Sequence, residues 1–205
     1  MPAIVVELIV FSIENGSLKI LLEPDVERDG YRRLPWRSWE GQDDFAQCVK
    51  RLADEVAPGS VMEPLFSAYF SMPHPRRGLT MTFLLCASPS GVSAGPRGAA
   101  LVDFARPEDI SHVYLTILAK AFERVRALHA DAPLIPRMLD DGFTLSQVQE
   151  ATETVMGSPV DKRHFRRQML ESDWLEETGA MSGGAHRPAK LYRLAHTHSL
   201  KRRVA

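Results

Sequence analysis

The chain has 205 residues, 44% of them hydrophobic and 25% charged, and its 25 Lys and Arg nearly balance its 26 Asp and Glu. That is ordinary globular composition, sufficient to bury a real core in one large or two modest domains. No apolar run approaches bilayer length and the opening residues lack the basic stretch of a secretory signal, so a cytoplasmic protein without a membrane partner is expected.

From the start, residues 3–13 form a strand-like run rich in Ile and Val. Asn15-Gly16 follows, the dipeptide that favours a type I′ turn, and then residues 18–22, so the chain opens on a β-hairpin. Residues 23–33 read as polar and irregular. Leu34-Pro35-Trp36 leads through a polar loop to residues 43–56, where Phe45, Val49, Leu52 and Val56 recur at i, i+4, i+7 and i+11, the stripe of a helix packed on one side. Pro58-Gly59 stops it. Strands are predicted over 64–72 and 79–87, separated by Pro73-His74-Pro75-Arg76-Arg77-Gly78, and a short one over 99–104 after a loop. A long helix over 109–130 carries Ile110, Val113, Ile117, Phe122 and Val125 as core candidates. Strands, helix, strands, helix suit a mixed sheet with helices packed on it. Cys48 and Cys86 sit in apolar surroundings with neither metal-ligand spacing nor the density of a disulfide scaffold, and read as core thiols. His196 and His198 lie in a polar tail with no Cys or carboxylate near them, so no metal site is expected there.

The prolines at 133 and 136 mark residues 131–141 as a connector, and a domain boundary is placed between 132 and 133. Beyond it Thr144 and Gln147 make a capping box, Phe143 can staple onto Val148, and Gly157 can end the helix in the left-handed conformation. Residues 144–156 are therefore one amphipathic helix, carrying Leu145, Val148, Thr152 and Val155 on one face. After Ser158-Pro159, Asp161 is the N-cap of a second helix that would bury Phe165, Met169 and Leu170. Its other face is basic: Arg163, His164 and Arg167 share the side away from Phe165, with Lys162 and Arg166 flanking it. Two short strands over 175–181 and 190–194, joined by the glycine-rich segment 182–188 with His186 and Arg187, complete a winged helix-turn-helix whose loop is the wing. From Ser158 onward there are ten Lys and Arg against five acids, in a chain that is slightly acidic as a whole. A basic face alone is commonly just solvated, but this concentration on helix, wing and tail is the footprint of phosphate contact. The fold class expected is α+β, a mixed sheet with packed helices followed by the winged helix.

One further pattern lies in the first half. With Arg37 at the first glycine of a Nudix box (Gly, five residues, Glu, seven residues, Arg-Glu-apolar-X-Glu-Glu-X-Gly), Asp43 falls at the first glutamate, Arg51 on the arginine, Leu52 on the next glutamate, Glu55 on the third and Val56 on the fourth. One metal-binding carboxylate survives on the helix. Taken with the opening hairpin, the Pro75-Arg76-Arg77-Gly78 loop, Phe143-Thr144-Leu145-Ser146, the run from Asp161 to Arg167 and the Gly-Gly-X-X-Arg-Pro-Ala wing, the chain resembles the Nudix-related transcriptional regulators, the NrtR family. The resemblance implies a Nudix-like sensor over 1–132 and a winged helix with a basic tail over 133–205. It implies a homodimeric bacterial repressor of NAD metabolism genes that binds double-stranded operator DNA and responds to an adenine nucleotide such as ADP-ribose, NAD or ATP. Lys162, Arg163, His164, Arg166, Arg167, His186 and Arg187 are the DNA-binding candidates. Arg32, Arg33, Trp36, Arg76 and Arg77 are the effector-binding candidates, because guanidinium forks suit phosphate oxygens and an indole can stack on adenine or close the core. No cofactor is expected. The alternative is a Nudix pyrophosphohydrolase with an accessory winged helix, but that chemistry needs metal ions held by several carboxylates, and Leu52 and Val56 stand where two of them belong. A protein-binding adaptor is a third possibility, opposed by the basic face.

Overall fold

The computed structural model describes residues 3–41, 44–58, 68–70, 78–105, 110, 112–183 and 188–195. The first apolar run is interrupted only by Glu7 and Ser12, too continuous for a strand with one wet face. It becomes β1 (Ala3–Glu14), with residues 5–13 buried without exception. Asn15 and Gly16 take φ of 51° and 75°, as a type I′ turn requires, and return the chain into β2 (Ser17–Pro24) with Phe11 opposite Ile20. The sequence reading leaves residues 23–39 largely irregular, whereas the structure forms two strands there, β3 (Arg32–Arg33) and β4 (Trp36–Trp39). Both are too short to show a period of two, and both exist through pairing: β3 on β2, β4 antiparallel to the first half of β1.

Helix α1 (Phe45–Val56) starts at Asp44, whose side chain accepts the Ala46 N–H at 3.2 Å. β5 (Ala68–Phe70), β6 (Gly78–Cys86), a 3-10 turn at Pro89–Gly91 and β7 (Ala100–Asp103) follow, then α2 (His112–Leu128). Among the described residues the sheet runs β3-β2-β1-β6-β5, with β4 also on β1 and β7 also on β2. β1 and β6 are parallel and the other pairs antiparallel. Ile9, Phe11 and Ile13 of β1 pack with Ile117, Leu118, Ala121 and Val125 of α2. Val6, Leu8 and Val10 pack under Val49, Leu52 and Val56 of α1, so the alternation of one strand divides the core into two layers. Cys48 and Cys86 are both buried and free, and burial pushes the Cys86 thiol up to about 12.

The connector is not an exposed tether. Residues 134–137 form α3 (Leu134–Arg137), and Leu134, Ile135 and Met138 are 3% exposed or less, because the apolar residues between the two prolines have the sheet to bury against. Helix α4 (Leu145–Met156) has the expected capping box, with Gln147 N–H donating to Thr144 Oγ1 at 3.2 Å and Thr144 N–H to Gln147 Oε1 at 2.8 Å. Gly157 ends it at φ 71°. Helix α5 (Lys162–Glu171) starts at Asp161, which accepts the His164 N–H at 2.7 Å. β8 (Leu175–Met181) and β9 (Lys190–Leu194) close the winged helix, and Phe143, Leu145, Val148, Phe165, Met169 and Tyr192 form its small core. Leu170, expected inside, is 58% exposed: it follows Met169 by one residue and so lies about 100° round α5 from it, away from α4. No helix among the described residues is long and apolar enough to cross a membrane.

The second half of the same apolar face of α4 carries the larger connection. Ala151 and Val155 belong to the same apolar cluster as Ile9, Phe11, Val125 and Met138. Around them Ile13 N–H donates to the Met138 carbonyl at 2.9 Å, Thr154 Oγ1 to the Gly16 carbonyl at 3.1 Å, and Arg126 Nε to the Val155 carbonyl at 2.6 Å. Sheet and winged helix thus share one core. Unfolding should accordingly be a single transition, and Met138→Ala should lower stability by roughly 2–5 kcal/mol in both halves together. Scanning calorimetry that resolves two transitions in the wild-type chain would contradict this.

Candidate nucleic-acid interface and effector pocket

Helix α5 is held by its apolar side and by its cap, leaving its remaining residues to solvent. Lys162, Arg163, His164, Arg166 and Arg167 are all exposed. Arg166 Nη2 donates to Ser146 Oγ of α4 at 3.2 Å and Arg167 Nη2 to His164 Nδ1 at 3.2 Å, which orients both guanidinium groups along the helix surface. Among the described residues Lys162 and Arg163 have no ion-pair partner. The predicted DNA-binding set on the helix is therefore one continuous cationic surface. His186 and Arg187 lie outside the described residues. Around them the strands are anchored by Ser182, whose N–H donates to the Ala189 carbonyl at 2.7 Å and whose Oγ accepts the Ala189 N–H at 2.9 Å. Acidic neighbours on the same hairpin are neutralised locally, Glu177 by Lys190 at 2.8 Å and Glu176 by Arg193 at 2.7 Å, so they do not oppose the charge of α5.

A second group of polar residues sits inside the sheet domain. Arg33 is 3% exposed, and its guanidinium lies 4.3 Å from the Trp36 ring centroid; Arg97 stands 5.8 Å from the same ring. Arg97 Nε also donates to Glu23 Oε2 at 2.8 Å, and Glu23 is 1% exposed. Glu7 of β1, 5% exposed, accepts a hydrogen bond from Tyr114 of α2 at 3.2 Å. Among the described residues Nε and Nη2 of Arg33 and Oε1 of Glu23 have no hydrogen-bond partner. Buried charges left half-paired are costly, and a polar ligand is one way to complete them. Of the predicted effector residues, the structure brings Arg33 and Trp36 into contact and sets the half-buried Arg32 beside them on β3, opposite Pro24. Arg76 and Arg77 lie outside the described residues. Trp39 belongs to the core margin, edge-on to Phe45 at 5.4 Å. Sequence reading missed Glu7, Glu23, Arg97 and Tyr114, yet Glu7 is a lone carboxylate in an apolar run, which is itself a signal. A cleft of about 530 Å³ between the hairpin turn and α4 is lined by Glu14, Asp140, Asp141 and Glu150, a charge that disfavours phosphate there.

The remnant of the Nudix box is paired within the protein. Arg37 of β4 forms an ion pair with Glu55, so a guanidinium takes the surviving carboxylate. Leu52 and Val56 point into the core at 0% and 2% exposure, and Asp54 pairs with Lys50 on the exposed side of α1. Asp43 lies outside the described residues.

A mixed sheet between α1 and α2, joined through a common core to a winged helix with a basic second helix, is a Nudix-like fold carrying a winged-helix head. Residues 136–194 match the family model of the NrtR DNA-binding winged helix domain. A curated relative, the ADPR responsive transcriptional repressor NtrR of Acinetobacter baylyi, is 24% identical over 209 residues, covering 95% of this chain and 82% of that protein. Shewanella oneidensis NrtR complexed with a 27mer DNA superposes with a TM-score of 0.78 at 22% identity, over 94% of this chain and 93% of that one. A MutT/nudix family protein from Enterococcus faecalis gives 0.70 at 19% identity, over 95% of this chain and 87% of that one. The chain therefore shares the fold of the Shewanella protein over 94% of its length, and the family match falls on its winged helix.

Burial pushes the Glu7 carboxyl up to about 7, against the opposing pull of Arg33 and of the Tyr114 hydrogen bond. The folded value lies above the ordinary 4.5, so the stability contributed by protonated Glu7 is complete below pH 4.5 and is lost as pH rises towards 7. That part of the profile should fall by up to about 1.4 kcal/mol per pH unit. Glu7→Gln should flatten it, and denaturant titrations giving wild type and variant the same pH dependence would overturn the assignment.

Proposed function

We propose that this protein is a DNA-binding transcriptional repressor that acts as a homodimer and is controlled by an adenine nucleotide of NAD metabolism, with residues 1–132 sensing and residues 133–205 reading DNA. The observation that carries the reading is the exposed face of α5, where Lys162, Arg163, His164, Arg166 and Arg167 are gathered on a helix whose other side is fixed in a small core. Such a helix is what a winged helix lays in the major groove. The Acinetobacter relative, an ADPR responsive repressor, and the DNA complex of the Shewanella protein support it, and the first makes ADP-ribose the leading effector over NAD or ATP. Arg33, Trp36, Arg97 and Glu23 offer that effector guanidinium groups for its diphosphate, an indole for its base and a free carboxylate oxygen for a ribose hydroxyl. Arg32, Arg76 and Arg77 extend the set by sequence. With sheet and reading head sharing a core, the nucleotide acts by shifting the whole protomer within the dimer, not by bending residues 131–141; release of DNA follows when its affinity for the shifted arrangement is the higher. Hydrolysis is disfavoured because Glu55 is taken by Arg37 and its former partners are apolar.

In gel-shift titrations, Arg163→Ala and Arg167→Ala should each cost roughly 1–3 kcal/mol of specific binding, while Arg187→Ala weakens all sequences alike and lowers the salt slope by about one. Equal and sequence-independent losses for all three would place the reading element elsewhere. ADP-ribose with Mg²⁺ or Mn²⁺ should stay intact; release of AMP that disappears in Glu55→Gln would restore the enzyme reading. Calorimetry should find ADP-ribose affinity reduced by operator DNA by the factor by which ADP-ribose reduces DNA affinity. Identical affinities with and without operator would remove the sensing role and leave a constitutive DNA-binding protein.

A further inference from the structure

Five large apolar side chains among the described residues are exposed, and one of them, Leu170 at 58%, stands on the face of α5 that carries the cations. Arg163, Arg167 and Leu170 are spaced i, i+4 and i+7, which places them within about 60° of one another around the helix axis and spreads them over about 10 Å along it. Arg166 borders the same stripe and is tied to Ser146. Phe165 and Met169, on the opposite side, are 6% exposed each and already fill the contact with α4, so Leu170 is not a core residue displaced by crowding. An isolated surface leucine is unremarkable, but one set between guanidinium groups is in the worst place for a purely solvated face, because it adds apolar area where phosphates and water are to be met. In the major groove, about 12 Å wide, one apolar group is available on the base edges: the C5-methyl of thymine.

We propose that Leu170 is a specificity-determining residue that reads a thymine methyl in each half-site, beside the base edges contacted by Arg163 and Arg167. This rests on the DNA-binding reading above and adds to it a base preference that the arginines cannot supply. Arginine donors seek the acceptors of guanine, whereas a leucine discriminates thymine from cytosine or uracil by a single methyl group. Removing either partner of such a contact should reduce affinity roughly three- to tenfold, the range for burial of about one methyl group.

The test uses the full chain and a duplex that it selects from a random-sequence library, with each thymine replaced in turn by deoxyuridine. Wild type should lose roughly three- to tenfold at one thymine per half-site and little elsewhere. Leu170→Ala should bind the unmodified duplex more weakly by the same factor and become indifferent to uracil at that one position, with an unchanged thermal midpoint because the side chain is exposed. Selective binding in which every uracil effect persists in Leu170→Ala, or in which no thymine methyl matters, overturns the inference while leaving the DNA-binding reading intact. A change of oligomeric state in Leu170→Ala also overturns it, by assigning the leucine to a protein contact. Failure of the library to yield any preferred sequence overturns the underlying reading and this one with it.

Discussion

Burial of both faces of β1 is the constraint on which the molecule depends. Residues 5–13 have no wet side, so every alternate residue must find a different partner layer: α1 for Val6, Leu8 and Val10, and α2 with the winged helix for Ile9, Phe11 and Ile13. A two-sided strand needs a neighbour on each edge to pair its backbone, and it has β2 on one and β6 on the other, with β4 extending the first half. The Asn15-Gly16 turn then presents the end of the hairpin to α4. One strand positions the buried Glu7, the box helix and the base of the reading head.

That strand also makes Glu7 expensive. A carboxyl at the centre of a buried layer persists because Tyr114 donates to it and Arg33 lies near, and even so burial raises its proton affinity by more than these partners lower it. Around the corner Glu23 and Arg33 leave atoms unpaired, and Trp36 is covered by arginine. At the box helix Glu55 is engaged by Arg37 through Oε1, while Arg37 Nε is left unpaired among the described residues. Unpaired buried atoms thus occur in both places, at Arg33 and Glu23 and at Arg37 Nε.

Local chemistry made much of this legible beforehand. The capping box at Thr144, the left-handed Gly157, the Asp161 cap and the Asn15-Gly16 turn are each decided within four residues, and the structure reproduces them. The cationic face of α5 followed from helical spacing alone. What was not legible is what pairing at a distance creates. β3 and β4 are two and four residues long and owe their existence to β2 and β1. Leu170 was expected inside by residue type, yet it follows Met169 by one residue and so lies about 100° round the helix from it, on the cationic side, where it is 58% exposed. The residues proposed for the effector divide similarly: Arg33 and Trp36 stood out by type, while Glu23 and Arg97 are 74 positions apart and meet only in the fold.

The position of Ala151 and Val155 has a consequence for how such a molecule can be cut. A winged helix is commonly treated as a cassette, movable between sensors, and here its own core of Phe143, Val148, Phe165 and Tyr192 invites that treatment. Yet the apolar face of α4 serves two clusters, Leu145 and Val148 in that core and Ala151 and Val155 in the core of the sheet. Freed from the sheet, it would present Ala151 and Val155 to water together with Leu134, Ile135 and Met138, a greasy seam on a fragment of some sixty residues that has little core to spare. Such a fragment will seek cover, by clumping with its own kind or by borrowing another protein's surface. A head grafted onto a new sensor therefore needs a sheet shaped to receive that seam, and the hairpin turn that meets Thr154 must travel with it.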